Sequence, residues 1–224
     1  MPYDAILFDN DGVITRPVTE DILKEAAWRT FEAIGVTDPK TAHVEGIIRG
    51  VEPEWIESVC AEYGIDPEEF WRLRDSHSSA AQRTAIENGH KGLYEDVDVV
   101  HSLAHSLGIV SSNQQTTIDF IVDYFDLATT FGTYLGREPT VESLRRKKPN
   151  AHYVTAALAD LDADSALFVG DSNADIEAAA NAGIDSAYVR RSHRADDYLD
   201  SEPTYSIDSL WELRTIPGVE TTDL

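Results

Sequence analysis

Asp9-Asn10-Asp11-Gly12 closes the apolar run Ala5-Ile6-Leu7-Phe8, and this junction constrains the chain more than any other feature. A short continuous apolar run reads as a strand buried on both faces. Such a strand cannot stand alone, because it has two faces to cover. If the chain stays extended past Phe8, side chains alternate in direction and Asp9 and Asp11 project the same way. The pair has two readings: a polar turn that ends a strand on a glycine, or two co-directed acids placed for chemistry. Residues downstream must decide between them.

After Gly12 the pattern turns helical. Thr19 is placed to cap a helix in which Leu23, Ala27, Phe31 and Ile34 recur at helical spacing, with Gly35 near its end. Asp38-Pro39 predicts a second helix, with the aspartate as cap and the proline in its first turn. The stretch from Pro53 to Tyr63 carries Trp55, Ile56, Val59 and Cys60 and stops at Gly64, and Asp66-Pro67 repeats the cap-then-proline device ahead of Phe70, Trp71 and Leu73. No strand pattern interrupts residues 19–87, which predicts an all-helical unit.

Beyond it the pattern alternates. It predicts a helix over about 96–107, a strand over 108–113, helices over about 116–125 and 151–161, a strand over 166–169, a helix over 174–182 ending at Gly183, and a strand over 186–189. Strands alternating with helices predict a parallel α/β sheet. The first strand belongs to that sheet, so the helical unit is an insertion just after it.

Three predicted strands end in polar clusters: Asp9/Asp11, Ser111/Ser112/Asn113 and Asp171/Ser172/Asn173. In open α/β sheets ligands sit at the carboxyl ends of the strands. Each of the two later clusters is also a plain helix cap when taken alone, and Asp175 equally suits the positive end of a helix. Together they offer several carboxylates, hydroxyls and backbone N–H groups. Carboxylates gathered without neutralisation repel one another, so a hard divalent cation is the expected occupant, and oxygen ligands with room for water and phosphate suit Mg²⁺. Lys148, after Arg145-Arg146-Lys147, is placed to bring the positive charge a phosphate needs; the same run also reads as a solvated basic turn.

The order of these pieces resembles the haloacid dehalogenase superfamily of phosphohydrolases. Phe8-Asp9-Asn10-Asp11-Gly12-Val13 resembles its first motif, Ile109-Val110-Ser111 its second, Lys148-Pro149 its third, and Gly170-Asp171-Ser172-Asn173-Ala174-Asp175 running to Ala182-Gly183 its fourth. The helical stretch between the first two motifs is similar to the α-helical cap of the phosphoglycolate phosphatase and β-phosphoglucomutase branch. The resemblance implies an α/β fold, a Rossmann-like parallel sheet core with an inserted all-helical cap domain. Residues 1–15 and 89–224 would form the catalytic core and residues 16–88 the cap.

It also implies a Mg²⁺-dependent phosphomonoesterase acting on a small phosphorylated metabolite, phosphoglycolate or a sugar phosphate. Asp9 would attack phosphorus and form an aspartyl-phosphate. Asp11 would protonate the leaving oxygen and then activate water. The resemblance gives Mg²⁺ the Asp9 carboxylate, the Asp11 backbone carbonyl and Asp171, with Asp175 supporting through water or by orienting Lys148. Ser111 and Lys148, together with Ser112, Asn113 and backbone N–H groups near Asn10 and Ser112, would hold the phosphoryl oxygens. Two departures stand out. Val13-Ile14-Thr15-Arg16-Pro17 lacks the Asp-Ser common there, and residues 132–146 form a longer link into the lysine motif. The second departure leaves both Lys147 and Lys148 as candidates, and the following proline favours Lys148.

Other classes fit less well. With 41 acidic and 18 basic residues the net charge is −23, a surface that repels polyphosphate, so no nucleic-acid partner is expected. At ordinary hydrophobicity (42%) this imbalance points to a protein of concentrated salt, as in a salt-accumulating halophile, against the alternative of an acidic mesophile protein. One cysteine, Cys60, excludes an intrachain disulfide. No stretch is long and apolar enough to span a bilayer, and the N-terminus lacks a basic region or cleavage site. The expectation is a soluble cytoplasmic protein without a membrane partner, monomeric or homodimeric.

His101 and His105 at i, i+4 read as a helix surface pair rather than metal ligands, since no third ligand is near in sequence. Arg49 is placed either to reach a remote anionic group of a substrate or to make a surface salt bridge. Dehalogenation is disfavoured by Asp11, and a phosphosugar mutase is the alternative enzyme. A non-catalytic binding or regulatory protein would be expected to lack one of Asp9, Asp11, Lys148 and Asp171, and all are present.

Overall fold

A computed structural model describes residues 2–48, 51–195 and 197–222. Strand β1 (Ala5–Phe8) is followed by helices α1 (Glu20–Ala33), α2 (Thr41–Gly46), α3 (Pro53–Tyr63) and α4 (Pro67–Glu87). Strands and helices then alternate: β2 (Ser106–Gln114), α5 (Gln115–Tyr124), β3 (Thr133–Arg137), α6 (His152–Asp160), β4 (Ala166–Gly170), α7 (Asn173–Ala182), β5 (Asp185–Val189) and β6 (Tyr205–Ile207). The six strands form one sheet in the order β3-β2-β1-β4-β5-β6, and every pairing is parallel.

The apolar run that opened the sequence lies in the middle of this sheet, and Ala5 to Phe8 are fully buried. Its residues alternate between two cores. Ile6 and Phe8 pack with Ile109, Val169 and Ile118 of α5, whereas Leu7 packs on the other face with Val110, Phe168, Val154 of α6 and Ala178 of α7. Strand order reverses around β1, with β2 on one side and β4 on the other, which opens a crevice at their carboxyl ends. Phe8 is level with Ile109 and with Val169, so Asp9 after β1, Ser111 near the end of β2 and Asp171 after β4 emerge side by side.

Helices α1 to α4 bury a core of their own, including Phe31, Ile47, Ile56, Cys60, Phe70 and Trp71. Burial pushes the Cys60 thiol up to about 12, with Asp66 adding to the rise, so it is protonated and inert. Local signals act as expected at several points. The Glu69 N–H donates to Asp66 Oδ1 at 2.8 Å at the start of α4, and Gly64 ends α3 at φ +67°.

Several expected elements differ. The predicted helix over 96–107 is a 3-10 turn over Glu95–Ser102, and β2 begins at Ser106. Valines at 97, 99 and 100 stiffen this stretch, and His105 sits in a bend just before β2, held between the Tyr3 carbonyl and the Glu220 N–H, both at 2.7 Å. His101 and His105 are therefore not a helix surface pair. Asp38-Pro39 does not open a helix: α2 starts at Thr41, and the Lys40 N–H donates to the Tyr63 hydroxyl at 2.8 Å in place of an aspartate cap. Strands β3 and β6 were not expected. The long link over 132–146 contains β3 and a 3-10 turn, Glu142–Arg146, and its Val141 and Leu144 pack into the core of the helical unit. Arg49 lies outside the described residues.

Candidate active site

Asp9 leaves β1 with its N–H still donating to the Val169 carbonyl of β4 at 2.9 Å, so its side chain is fixed at the crevice. The Lys148 ammonium lies 2.6 Å from Asp9 Oδ1 and 2.6 Å from Asp175 Oδ1, and also donates to the Val110 carbonyl at 3.2 Å. Lys147 turns elsewhere, to the Val51 carbonyl and Glu52. Of the two lysines, Lys148 joins the carboxylates.

Asp175 is buried at the first turn of α7. Its Oδ2 accepts from the Asp171 N–H at 3.1 Å, the Ser172 N–H at 3.0 Å and the Ser172 hydroxyl at 2.6 Å. With its other oxygen on Lys148, it ties the loop after β4 to that ammonium. Gly12 lets the β1 loop approach Asp171: it sits at φ +94°, and a Cβ there would lie 2.0 Å from Asp171 Oδ2.

Oxygens of Asp9, Asp171 and Asp175 all lie within 4.8 Å of one another, buried, with Lys148 on Asp9 and Asp175 and Arg194, itself shared with Asp197, on Asp171. Burial pushes the Asp9 carboxyl up to about 8; Lys148 opposes the rise, and the Asp175 and Asp171 charges add to it. Asp171 is likewise raised by burial and by Asp175, against the pull of Arg194 and His193. Its Oδ1 is buried without a hydrogen-bond partner among the described residues. The donor set is all hard oxygen, carries surplus negative charge and leaves one oxygen unmet, which fits a small divalent cation.

Asp11 points along a different line. Its Oδ1 accepts from Lys91, whose side chain is fully buried, and its Oδ2 accepts from Asn113 Nδ2 at 2.8 Å. Gln82 of α4 joins both partners, accepting from Lys91 at 2.9 Å and donating to Asn113 Oδ1 at 3.1 Å. Burial opposes ionisation of Asp11, but Lys91, Asn113 and Asn10 outweigh it and hold the carboxyl below its usual range. The two acids of the opening motif thus occupy different electrostatic surroundings.

The expected phosphate-binding residues divide. The Ser111 hydroxyl accepts from the Asn113 N–H at 3.1 Å, which leaves its own proton to donate. The Asn113 amide is taken by Asp11 and Gln82, and the Ser112 carbonyl accepts from Arg137 at 3.3 Å. The Asn10 side chain turns inward to Thr15 at 3.1 Å and is fully buried, and its carbonyl accepts from the Ile14 and Thr15 N–H groups at 2.9 and 2.8 Å, so neither reaches the crevice.

Sequence reasoning missed several residues. His193 Nε2 and Arg194 Nε reach Asp171 Oδ2 at 2.8 and 2.9 Å. Arg191 grips the Gly12 and Val13 carbonyls at 3.0 and 3.2 Å while forming a two-pronged pair with Asp96. A signal was available, since Arg190-Arg191-Ser192-His193-Arg194 is a basic run directly after β5, another strand end on the same edge. A cleft of about 420 Å³ opens beside Asp11 between the helical unit and the sheet, lined among others by Trp71, Arg74, Gln82, Asn113 and Arg137.

The chain belongs to the haloacid dehalogenase-like hydrolase family, whose profile matches residues 6–189. It is an enzyme of the haloacid dehalogenase phosphatase type. Among curated relatives, pyrophosphatase PpaX of Anoxybacillus flavithermus is 25% identical over 224 residues, spanning 98% of this chain and 99% of that protein. The structure of CbbY from Rhodobacter sphaeroides in complex with phosphate is similar at a TM-score of 0.67 and 19% identity, covering 94% of this chain and 96% of that one. A putative phosphoglycolate phosphatase from Lactobacillus plantarum is similar at a TM-score of 0.66 and 18% identity, covering 96% and 99%. The two structural likenesses show the shared fold.

Proposed function

We propose that the protein is a Mg²⁺-dependent phosphatase that hydrolyses a small phosphorylated metabolite through an aspartyl-phosphate on Asp9. The observation that carries this reading is Lys148, held 2.6 Å from both Asp9 and Asp175 beside the buried carboxylate cluster. Mg²⁺ would be held by Asp9, Asp171 and the Asp11 backbone carbonyl, and when bound it neutralises charge on the transferring phosphoryl group. Asp175, with its oxygens committed to Lys148 and the Asp171–Ser172 loop, supports by orienting those groups.

Asp9 is the nucleophile, and Lys148, the Ser111 hydroxyl and backbone N–H groups near Asn10 and Ser112 stabilise charge on the phosphoryl oxygens. Asp11 stands apart from the metal cluster, with Lys91 and Asn113 fixing its carboxylate. That carboxylate, kept ionised by its partners, suits a proton shuttle: it takes a proton from the attacking water, and the proton it then carries is the one it gives to the leaving oxygen of the next turnover. Residues 16–88 act as the cap and residues 1–15 and 89–224 as the catalytic core, with the cleft between them as the substrate chamber. The acidic composition and the single buried cysteine suit a salt-rich, reducing cytoplasm. Among the described residues no helix is long and apolar enough to cross a membrane.

A second reading, hydrolysis of inorganic pyrophosphate, is favoured by the PpaX relatives over nearly the whole chain. One assay separates these possibilities. Release of phosphate is followed with Mg²⁺ at high KCl for phosphoglycolate, sugar phosphates and pyrophosphate, with chelator and Asp9→Asn controls. Turnover that is abolished by both controls supports the mechanism, and the preferred substrate chooses between the readings. Absence of turnover on all of them would overturn both.

A further inference from the structure

The chain has five lysines, and the two that are buried each face one acid of the opening motif: Lys148 faces Asp9 and Lys91 faces Asp11. The second pair is built by the segments that join the helical unit to the core. Lys91 lies on the return from α4 to the sheet, where the Arg16 N–H donates to the Gly92 carbonyl at 2.8 Å and the Tyr94 N–H to the Ile14 carbonyl at 3.1 Å. An antiparallel bridge between Thr15 and Leu93 pairs the same two segments, and Asp11 is bridged to Thr15 in turn. Backbone register therefore brings Lys91 to Asp11.

The side chains then close a ring. Lys91 donates to Asp11 Oδ1 and, at 2.9 Å, to Gln82 Oε1. Gln82 Nε2 donates to Asn113 Oδ1 at 3.1 Å, and Asn113 Nδ2 donates to Asp11 Oδ2 at 2.8 Å. Donors on both carboxylate oxygens fix where the group sits and how its plane is turned. The Asp11 side chain is 31% exposed and lines the cleft, whereas that of Lys91 is 0% exposed. Lys91 thus reaches a molecule in the cleft only through Asp11. A buried ion pair is often no more stable than apolar side chains of the same volume, so filling this space does not by itself call for a lysine.

We propose that Lys91, braced by Gln82 of the helical unit, is a positioning residue that holds the Asp11 carboxyl group where it meets the leaving oxygen. The proposal rests on the phosphatase reading above and deepens it. Asp11 gives its proton to the leaving oxygen as the bond from that oxygen to phosphorus breaks, and a misplaced donor loses this help. The loss grows with the basicity of the leaving group. p-Nitrophenolate departs as a stable anion, while the more basic phenolate departs better with a proton.

Steady-state hydrolysis of phenyl phosphate and p-nitrophenyl phosphate with Mg²⁺ tests this, because the two esters share a shape and differ in their leaving groups. Lys91→Met should lower kcat/KM about 10- to 100-fold for phenyl phosphate, within the gain that general acid–base catalysis supplies, and less than about threefold for p-nitrophenyl phosphate. Competitive inhibition by inorganic phosphate should be unchanged, since Asp9, Ser111 and Lys148 are untouched, and this reading separates a displaced acid from a collapsed site. Gln82→Leu leaves both charges in place and should show the same unequal loss at smaller size; it reads the proposal by itself if Lys91→Met does not fold. Equal losses on the two esters in either variant would overturn the proposal, as would full activity of Lys91→Met on both. Wild-type protein that releases phosphate from neither ester, nor from the metabolites tried above, would instead overturn the phosphatase reading.

Discussion

Asp75 of α4 and Arg137 at the end of β3 meet in a two-pronged ion pair, 2.8 Å at each contact, with each side chain only 3% exposed. Arg137 also donates to the Ser112 carbonyl, so one guanidinium joins the helical insertion to the loop expected to hold phosphate. The position of the cap and the shape of that loop are coupled through this contact.

Removing one partner of such a pair leaves a buried charge behind, which costs about 3–5 kcal/mol. Asp75→Asn should be more damaging than Arg137→Met. The first leaves two guanidinium groups without a counter-charge, whereas the second leaves Asp75 with Arg74 still at 3.1 Å. Urea unfolding of the two variants checks the order, and a milder loss for Asp75→Asn would contradict it.

Asp96 predicts a window of acid sensitivity. Burial raises its carboxyl, but Arg191, the Leu210 N–H and Ser209 outweigh that and hold it below the usual range. A group with a depressed folded value stabilises the protein above its unfolded value of about 4 and loses that contribution as pH falls through the folded value. Wild type should therefore lose stability below about pH 4 more steeply than Asp96→Asn. Unfolding curves across that range measure the difference between the two proteins, and parallel curves would refute it. The contact reaches the site as well, because Arg191 holds the carbonyls of Gly12 and Val13.

Lys148 should matter far more to turnover than its neighbour. Lys148→Ala removes the ammonium that faces Asp9 and Asp175 and should lower kcat/KM by about 10²- to 10³-fold, the usual cost of losing one preorganised charge-stabilising group. Lys147→Ala should cost much less, since that side chain is spent on Val51 and Glu52. Asp9→Asn should abolish turnover with the fold intact. Steady-state hydrolysis of p-nitrophenyl phosphate with Mg²⁺ compares all three, and comparable losses for the two lysine variants would undo the assignment.

What could be read in the sequence was whatever is encoded locally. Ala5–Phe8 announces a doubly buried strand, and Asp9, Asp11, Asp171 and Asp175 follow such strands by position alone. Lys148 was legible by its proline, although Lys147 beside it was as good by charge. Residues that arrive from a distance were not legible: Lys91 reaches Asp11 across 80 positions, and Arg137 reaches Asp75 across 62. Nothing near either arginine announces that two of them will share one carboxylate. Strand β3 was hidden by Gly136, which reads as a breaker; a Cβ there would lie 2.8 Å from the Gln115 backbone, so the glycine admits α5 against the strand. At three residues on the sheet edge, β6 is too short to carry a pattern.

The charge balance gives the last prediction. Acidic residues number 41 against 18 basic ones, and many of the pairs that do form are exposed, such as Arg29–Glu25 and Arg190–Asp208. Exposed pairs contribute little each, so they do not offset the repulsion of 23 surplus negative charges. Salt shortens the range of that repulsion, from a Debye length of about 10 Å at 0.1 M to about 3 Å at 1 M. Buried pairs such as Asp75–Arg137 are screened far less, so raising salt should relieve repulsion without dissolving the contacts that hold the cap. A gain of ~2–3 kcal/mol would raise Tm by about 5–10 °C in a domain of this size. Thermal unfolding from about 0.1 M to about 2 M KCl measures it, with an uncharged osmolyte as control for general exclusion effects. Equal stability at both ends of that range would remove the case for adaptation to concentrated salt.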